Sequence, residues 1–151
     1  MPAKPEYVWH YMPQTYLDEI IRSGYLKVSE AEKKMKDKKP SLWFSSNPIW
    51  EPTATKIFED IDGTLKQMTV EQQFKNYGLA RIGIKYFSEL VTWAKYRYVS
   101  KLPVEHLDAM ERHSFEIGAN TNEHYCVFKN IPKSQWCSIE VWDGKNWVSY
   151  L

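Results

Sequence analysis

Residues 6–11 read Glu-Tyr-Val-Trp-His-Tyr, a run of β-branched and aromatic side chains that favours an extended strand and is stopped by Pro13. Beyond Pro13 the period of the pattern changes. Apolar residues recur at helical spacing, with proline at the start of the segment and Gly24 just past its end. We therefore predict a strand over 6–11, with His10 near its C-terminal end, followed by a helix over 13–23.

The remaining periodicities predict a mixed α+β domain. The lysine-rich segment 27–40 has the composition of a solvated helix or loop, and residues 41–46 have the pattern of a second strand. Farther along, the patterns predict a helix over 69–77 capped by Thr69, a helix over 103–113, strands over 79–86, 125–128, 138–142 and 147–150, and turns at 62–63 and 143–144. Because no repeat or long linker divides the chain, we expect one domain over residues 1–151.

The composition is that of an ordinary folded domain. There are 20 Lys and Arg residues against 19 Asp and Glu, a formal net charge of +1, which argues against nucleic-acid binding by bulk electrostatics and leaves room only for a local basic patch. The N-terminus lacks the apolar segment of a signal peptide, and no stretch approaches 18 consecutive apolar residues. We expect a soluble, cytoplasmic protein with no membrane partner.

Most motifs with a known chemistry are missing. The six glycines form neither a dinucleotide-binding nor a P-loop pattern, and the histidines show no metalloprotease spacing. The two cysteines form no zinc-ligand cluster, so no metal is expected, and the apolar surroundings of Cys126 favour a buried small residue over a nucleophile. Seven tryptophans and ten tyrosines exceed what a core needs, which indicates that aromatic faces line a ligand site.

Several short motifs resemble those of small bacterial ADP-ribosyltransferases, in particular the DarT-like branch that modifies nucleic acid. Near the N-terminus they are the Val-Trp-His-Tyr run at 8–11, the helix end and following residues at 20–26, and Leu-Trp-Phe-Ser at 42–45. Near the C-terminus, residues 123–128 followed by Ile131 and Pro132 resemble the strand on which that superfamily keeps its catalytic glutamate. The resemblance covers about residues 7–50 and 120–141.

This resemblance implies an α+β fold of the ADP-ribosyltransferase type, in which two small packed antiparallel or mixed sheets form an NAD cleft flanked by helices. It also implies an NAD-dependent enzyme that attaches ADP-ribose to a macromolecule, with DNA or RNA favoured as the acceptor and protein as the alternative. The implied biological role is that of a toxin or phage-conflict effector, with an antitoxin or inhibitor as a further partner.

Position by position, the resemblance assigns two catalytic candidates. His10 matches the first-strand histidine that hydrogen-bonds the NAD ribose and helps to seat the nicotinamide, and Tyr11 flanks it. Trp43 and Phe44 stand where one subgroup of the family has a tyrosine. Glu123 matches the catalytic glutamate, within a register uncertain by a few positions.

The chemistry of NAD cleavage explains why such residue types are needed. Because the reaction passes through an oxocarbenium-like centre, a carboxylate beside the ribose can hold its 2′-hydroxyl and favour the developing positive charge. An aromatic face can stack on the cationic nicotinamide ring, and guanidinium groups match pyrophosphate oxygens. The further candidates are Ser45 and Asn47 for the nicotinamide amide or the ribose, Glu51 as reserve carboxylate with its neighbour Trp50, and Arg22, Arg81 and Arg97 for the pyrophosphate.

Two other functions fit the same residues. In the first, the protein is a non-catalytic binding module whose aromatic groove holds a peptide, nucleotide or partner protein, while His10 and Glu123 are structural. In the second, it is an enzyme like RNA 2′-phosphotransferase, which also consumes NAD but surrounds its site with several basic residues. The chain has only four arginines, which counts against the second.

Overall fold

The computed structural model describes residues 3–36 and 38–151 and contains eleven strands and five α-helices over these ranges. The strands are β1 (Tyr7–Pro13), β2 (Tyr25–Leu26), β3 (Leu42–Ser45), β4 (Ile57–Glu59), β5 (Leu65–Gln67), β6 (Leu79–Lys85), β7 (Val91–Thr92), β8 (His124–Val127), β9 (Ile131–Pro132), β10 (Trp136–Trp142) and β11 (Trp147–Ser149). The helices are α1 (Leu17–Ser23), α2 (Glu30–Lys33), α3 (Val70–Tyr77), α4 (Trp93–Val99) and α5 (Val104–Glu116), with 3-10 turns at Gln14–Tyr16, Pro52–Ala54, Thr121–Glu123 and Lys133–Gln135. No helix in the described ranges is both long and apolar enough to cross a lipid bilayer.

Seven strands form one antiparallel sheet in the order β11-β10-β6-β1-β3-β8-β7, while β2 pairs with β9 and β4 pairs with β5 in two small sheets. The predicted α+β class is therefore confirmed. The described residues form one large sheet with two small ones instead of the two small packed sheets that the resemblance implies. The narrower ADP-ribosyltransferase fold stays a prediction.

The large sheet is weakly joined at one place. Strand β1 pairs with β6 along its whole length, from Tyr7 opposite Lys85 to Pro13 opposite Leu79. Its pairing with β3 is limited to Trp9 opposite Ser45. We call this junction the seam. It divides the sheet into a four-stranded half (β11-β10-β6-β1) and a three-stranded half (β3-β8-β7).

One core cluster lies under both halves of the sheet. It contains side chains that are fully buried, among them Val8 of β1, Ile82 and Ile84 of β6, and Leu17 of α1. Each such side chain contributes about 1.5–3 kcal/mol by leaving water. The alternation of β1, β3, β6 and β8 sends every second residue into this cluster, which explains why these strands form where they do.

A second cluster covers the opposite face of the three-stranded half, where α4 and α5 pack on it. Trp93 and Tyr96 of α4 and Leu107 of α5 meet Val91 and Cys126 there. Burial raises the pKa of the Cys126 thiol to about 12, and Glu32 adds to the shift, so this residue is a neutral thiol at neutral pH. The prediction that Cys126 is a buried small residue is confirmed.

Most predicted elements are present with altered ends. Strand β1 extends two residues further than predicted, and Thr69 caps α3 in a capping box with Gln72. The helix predicted over 13–23 is a 3-10 turn followed by α1 from Leu17, because Pro13 is still extended. Helix α5 runs to Glu116, and the hairpin turn predicted at 143–144 joins β10 to β11.

Several elements were not predicted, among them the short strands β2, β7 and β9, the β4–β5 hairpin and helix α4. Residues 57–67, predicted as polar chain with a turn, form the β4–β5 hairpin, and the predicted turn at 62–63 lies at its tip. Helix α4 was missed because its aromatic and β-branched residues have weak intrinsic helix propensity. Within 27–40, predicted as a solvated helix or loop, the structure has the short helix α2, which is capped by Ser29 and has no buried residue.

Candidate functional site

A pocket of about 320 Å³ lies at the seam. Its walls come from β1, β3, the start of β8, the segment around the 3-10 turn 52–54, and helices α4 and α5. The lining residues are Trp9, His10, Tyr11, Trp43, Phe44, Ser45, Glu51, Thr53, Ala54, Trp93, Met110, Ser114 and His124. The size suits a small ring compound with a sugar attached and is at the lower end of ordinary ligand pockets.

His10 connects the two halves of the sheet. Its Nδ1 lies 2.7 Å from the backbone oxygen of Trp43, across the seam. Burial lowers the pKa of His10, and the hydrogen bond to Trp43 opposes the shift only in part. The ring is therefore neutral near pH 7, with Nδ1–H donating to the carbonyl. Because this bond selects the tautomer, Nε2 is left as a hydrogen-bond acceptor.

Glu51 supplies a carboxylate to the pocket wall. Its Oε2 accepts hydrogen bonds from the backbone N–H and hydroxyl of Thr53, at 3.1 and 2.7 Å, and lies 3.0 Å from Nε2 of His124. Burial alone would raise the pKa of Glu51, but the hydrogen bonds and charge of His124 and the bonds from Thr53 outweigh it and hold the pKa below its usual value. The side chain is thus an ionised, buried carboxylate.

The second oxygen of this carboxylate has no partner. Oε1 of Glu51 is buried and makes no hydrogen bond to any residue in the described ranges. A buried acceptor without a donor carries an energetic penalty of about 1–3 kcal/mol or more. A ligand hydroxyl that donates to Oε1 would remove this penalty.

Aromatic rings form most of the remaining wall. Trp43 lies 4.7 Å from Tyr96 and 6.0 Å from Trp93, measured between ring centroids. The indole N–H groups of Trp43 and Trp93 donate to Ser41 and Glu111, at 3.0 and 2.5 Å. The rings are fixed in this way through groups outside the pocket.

The charge of the wall bears on the kind of ligand it can take. Glu51 brings a carboxylate that is paired with His124 at 3.0 Å, and no Lys or Arg is found among the described residues that line the pocket. Aromatic faces with a carboxylate favour a flat cation over an anion. No Lys or Arg side chain of the described wall is available to a phosphate group.

Six of the residues predicted from sequence are brought together in this wall: His10, Tyr11, Trp43, Phe44, Ser45 and Glu51. The hydroxyl of Ser45 accepts a hydrogen bond from the backbone N–H of Asn47 at 3.1 Å, so it is partly engaged. Tyr11 donates its hydroxyl proton to the backbone oxygen of Asn47. Burial raises the pKa of Tyr11 to about 12 against the opposing effect of Arg81, and the phenol stays neutral.

Glu123 and Asn47 lie beside the pocket and do not line it. Glu123 ends the 3-10 turn before β8, and its Oε1 is 3.4 Å from Nδ2 of Asn47. The next residue, His124, pairs with Ser45 across β3 and β8 and lies on the wall. The residue of this part of the chain that lines the wall is therefore His124, one position after Glu123.

The arginines and Trp50 also lie outside the wall. Arg22 is exposed at the end of α1, and Arg97 is paired with Asp108 at 2.7 Å and Glu111 at 3.6 Å. Arg81 is buried and forms an ion pair with Glu140 at 2.9 Å. The ring of Trp50 packs edge-on against Tyr11 at 5.1 Å.

Sequence reasoning missed seven of the wall residues: Trp9, Thr53, Ala54, Trp93, Met110, Ser114 and His124. His124 could have been found from the alternation of β8, since it has the same parity as Cys126 and faces the same side. Trp93, Met110 and Ser114 gave no such signal, because only the packing of α4 and α5 brings them to the seam.

The chain matches no protein-family model, and no match was found among curated proteins or solved structures. The function must therefore be argued from the site alone. Among the described residues, no group of three or more His, Cys, Asp or Glu side chains is placed to hold a metal ion.

Proposed function

We propose that this protein is an NAD-dependent ADP-ribosyltransferase whose reacting carboxylate is Glu51 and not Glu123. One observation carries the proposal: the pocket at the seam combines a buried carboxylate, a neutral histidine and aromatic faces, with no Lys or Arg among its described wall residues. The nicotinamide ring of NAD is a flat cation attached to a ribose, which matches each of these features.

The reaction follows from the chemistry of NAD. The bond between the nicotinamide nitrogen and C1′ of the ribose breaks, and its electron pair neutralises the nicotinamide. Positive charge develops at C1′, where a carboxylate stabilises it. A nucleophilic atom of the acceptor then bonds to C1′, and its proton passes to a base.

Two residues of the wall are assigned roles in this reaction. Oε1 of Glu51, which has no hydrogen-bond partner among the described residues, would accept a hydrogen bond from the 2′-hydroxyl of the ribose and lie near the developing charge. Nε2 of His10 would accept a hydrogen bond from a second ribose hydroxyl, since Nδ1 donates to the Trp43 carbonyl. His124 and Thr53 would orient the carboxylate through Oε2.

The ADP half of NAD would lie outside the pocket. The wall has no cation for a pyrophosphate among its described residues, and 320 Å³ leaves room for nicotinamide and ribose only. Nucleic acid is the favoured acceptor class, as the resemblance of residues 8–11 and 42–45 to the DarT-like branch implies.

The test is nicotinamide release from NAD by the purified protein, alone and with DNA, RNA or a protein mixture as acceptor. We expect Glu51→Gln to lower the rate about 100-fold, as is typical when one charge-stabilising group is removed from an active site. The matched control is Glu59→Gln on the exposed strand β4, which should leave the rate unchanged. Glu123→Gln should have a much smaller effect than Glu51→Gln.

The binding-module alternative has an observation of its own. Glu51 is paired with His124 in a way that also occurs in purely structural sites. If NAD raises the melting temperature but no acceptor leads to nicotinamide release, the pocket binds without catalysing. If NAD has neither effect, the proposed function fails. A wall without Lys or Arg among its described residues gives no support to the phosphotransferase alternative.

A further inference from the structure

Residues 46–51 link β3 to the 3-10 turn at 52–54 and are held by three strands. We call them the 46–51 segment. The Tyr11 hydroxyl (β1), the Arg81 guanidinium (β6) and the Trp147 indole N–H (β11) donate to the backbone oxygens of Asn47, Pro48 and Ile49, respectively. The second and third of these bonds are 2.5 and 2.9 Å long. Three consecutive carbonyls are thus each bound by a side chain from a different strand.

Arg81 is the centre of this arrangement. Its guanidinium carbon lies 4.7 Å from the ring centroid of Trp9 and 4.5 Å from that of Trp147, so it is held between two aromatic faces. Its Nε donates to Glu140 at 2.9 Å, and its Nη1 also donates to the Tyr11 hydroxyl at 3.2 Å. Because Arg81 is 8% exposed and its guanidinium is paired on several sides, this group is held in one orientation.

The position of the 46–51 segment determines where the Glu51 carboxylate lies. Pro48 is three residues before Glu51, a span of at most about 10 Å, so a displacement of Pro48 would also shift the Glu51 carboxylate. Trp50, between them, packs on Tyr11 and stacks on Trp147 with an interplanar angle of 10°. The segment therefore has few ways to move without breaking contacts to the sheet.

We propose that Arg81 is a positioning residue for the pocket: with Tyr11 and Trp147 it fixes the 46–51 segment and so holds the Glu51 carboxylate beside His124. This role differs from the pyrophosphate contact expected from the sequence. It rests on the proposed function where activity is the readout, while its structural part can be tested without activity.

The experiment compares Arg81→Lys with Trp147→Phe. Lysine keeps the charge but lacks the planar group of N–H donors with which Arg81 binds Glu140, Tyr11 and Pro48 at the same time. Phenylalanine keeps a smaller aromatic ring at 147 and removes the N–H that binds Ile49, so it provides a second test of the segment if the arginine variant folds poorly. The control is Arg112→Lys, a change on the exposed side of α5.

Amide hydrogen exchange gives the readout that is independent of activity. The amides of Ile49 and Thr53, which bond to Asn47 and Glu51, should exchange roughly tenfold faster in both variants. The amide of Asp60 in the β4–β5 hairpin should not change. Unchanged exchange at Ile49 and Thr53 in both variants would overturn the proposal.

Kinetics give the second readout. Both variants should lower kcat for nicotinamide release about tenfold with little change in KM, because misplacing a reacting group by a fraction of an ångström costs on this scale. In the Glu51→Gln background, Arg81→Lys should cause no further loss. An equal loss in both backgrounds would show that Arg81 acts without Glu51 and would overturn its positioning role.

Failure of the proposed function is distinguishable from failure of this inference. If Glu51→Gln leaves nicotinamide release unchanged, or no release is found, the proposed function fails and hydrogen exchange alone decides whether Arg81 fixes the segment. If release depends on Glu51 but exchange and kcat are normal in both variants, the proposed function stands and the inference fails.

Discussion

The two halves of the large sheet share a core on one face but are covered differently on the other. The three-stranded half is covered by α4 and α5 through apolar and aromatic side chains such as Trp93 and Leu107. The four-stranded half is covered near the seam by the 46–51 segment, held by hydrogen bonds and by the Arg81–Glu140 ion pair. We call these the helical cover and the segment cover.

The difference shows that two kinds of force hold the two covers. The helical cover is held by non-directional apolar burial, which tolerates small shifts. The segment cover is held by directional bonds, which contribute less energy but fix atoms in place. The pocket lies between them, with Trp93 and Met110 from one side and Glu51 from the other.

The largest expected effect on stability comes from removing apolar volume from the helical cover. The Leu107→Ala substitution should lower the free energy of unfolding by about 2–5 kcal/mol, because Leu107 is only 3% exposed and packs in the second cluster. Urea unfolding measures it. Val104→Ala, on the exposed start of the same helix, is the matched control and should change stability by less than about 1 kcal/mol. Similar losses for both variants would mean that α5 is not held by its buried face.

The seam itself should show a pH dependence set by His10. Because burial lowers its folded-state pKa, the unfolded chain takes up a proton near pH 6.5 while folded His10 does not, and stability falls as the pH drops below that value. Between pH 7.5 and 5.5 the loss should reach up to about 1.4 kcal/mol relative to His10→Asn.

Denaturant unfolding of the two proteins at both pH values measures this difference. Asparagine can keep a donor to the Trp43 carbonyl but does not titrate. The contributions of the other histidines cancel in the comparison. Parallel pH profiles would show that His10 titrates in the folded state as it does in the unfolded chain.

The smallest expected effect belongs to the start of α4. Thr92 caps this helix by accepting a hydrogen bond from the backbone N–H of Lys95 at 3.2 Å. Thr92→Ala should cost about 1 kcal/mol, and Thr92→Ser should cost less because it keeps the hydroxyl. Thermal unfolding distinguishes the two. Equal losses would indicate that the methyl group, and not the cap, is what Thr92 contributes.

The elements that were predicted from sequence are those with a local cause. Alternation marks β1 and β6, and the Thr69 box marks the start of α3. Helix α4 has no local pattern of this kind. Its residues Trp93 and Tyr96 become a buried face only by packing on the three-stranded half of the sheet. The β4–β5 hairpin has no such pattern either, since its strands are short and mostly exposed.

The candidate-site residues that were predicted from sequence also have a local cause. His10, Tyr11, Trp43, Phe44 and Ser45 were predicted because they sit on two strands whose motifs are visible in the sequence. The carboxylate on the wall, Glu51, was predicted only as a reserve, because the resemblance placed Glu123 at the position of the catalytic glutamate. The choice between them depends on the route of the 46–51 segment, which side chains far away in the chain determine.

The sequence by itself therefore determined the α+β class, the strands on either side of the seam and the aromatic character of the site, since these depend on periodicity and residue type over a few positions. Tertiary structure alone decided which carboxylate lines the pocket, that Arg81 binds the 46–51 segment, and that α4 and α5 contribute to the pocket wall. The physical reason is that hydrogen bonds and packing join residues 33 to 98 positions apart here, and no local pattern records those distances.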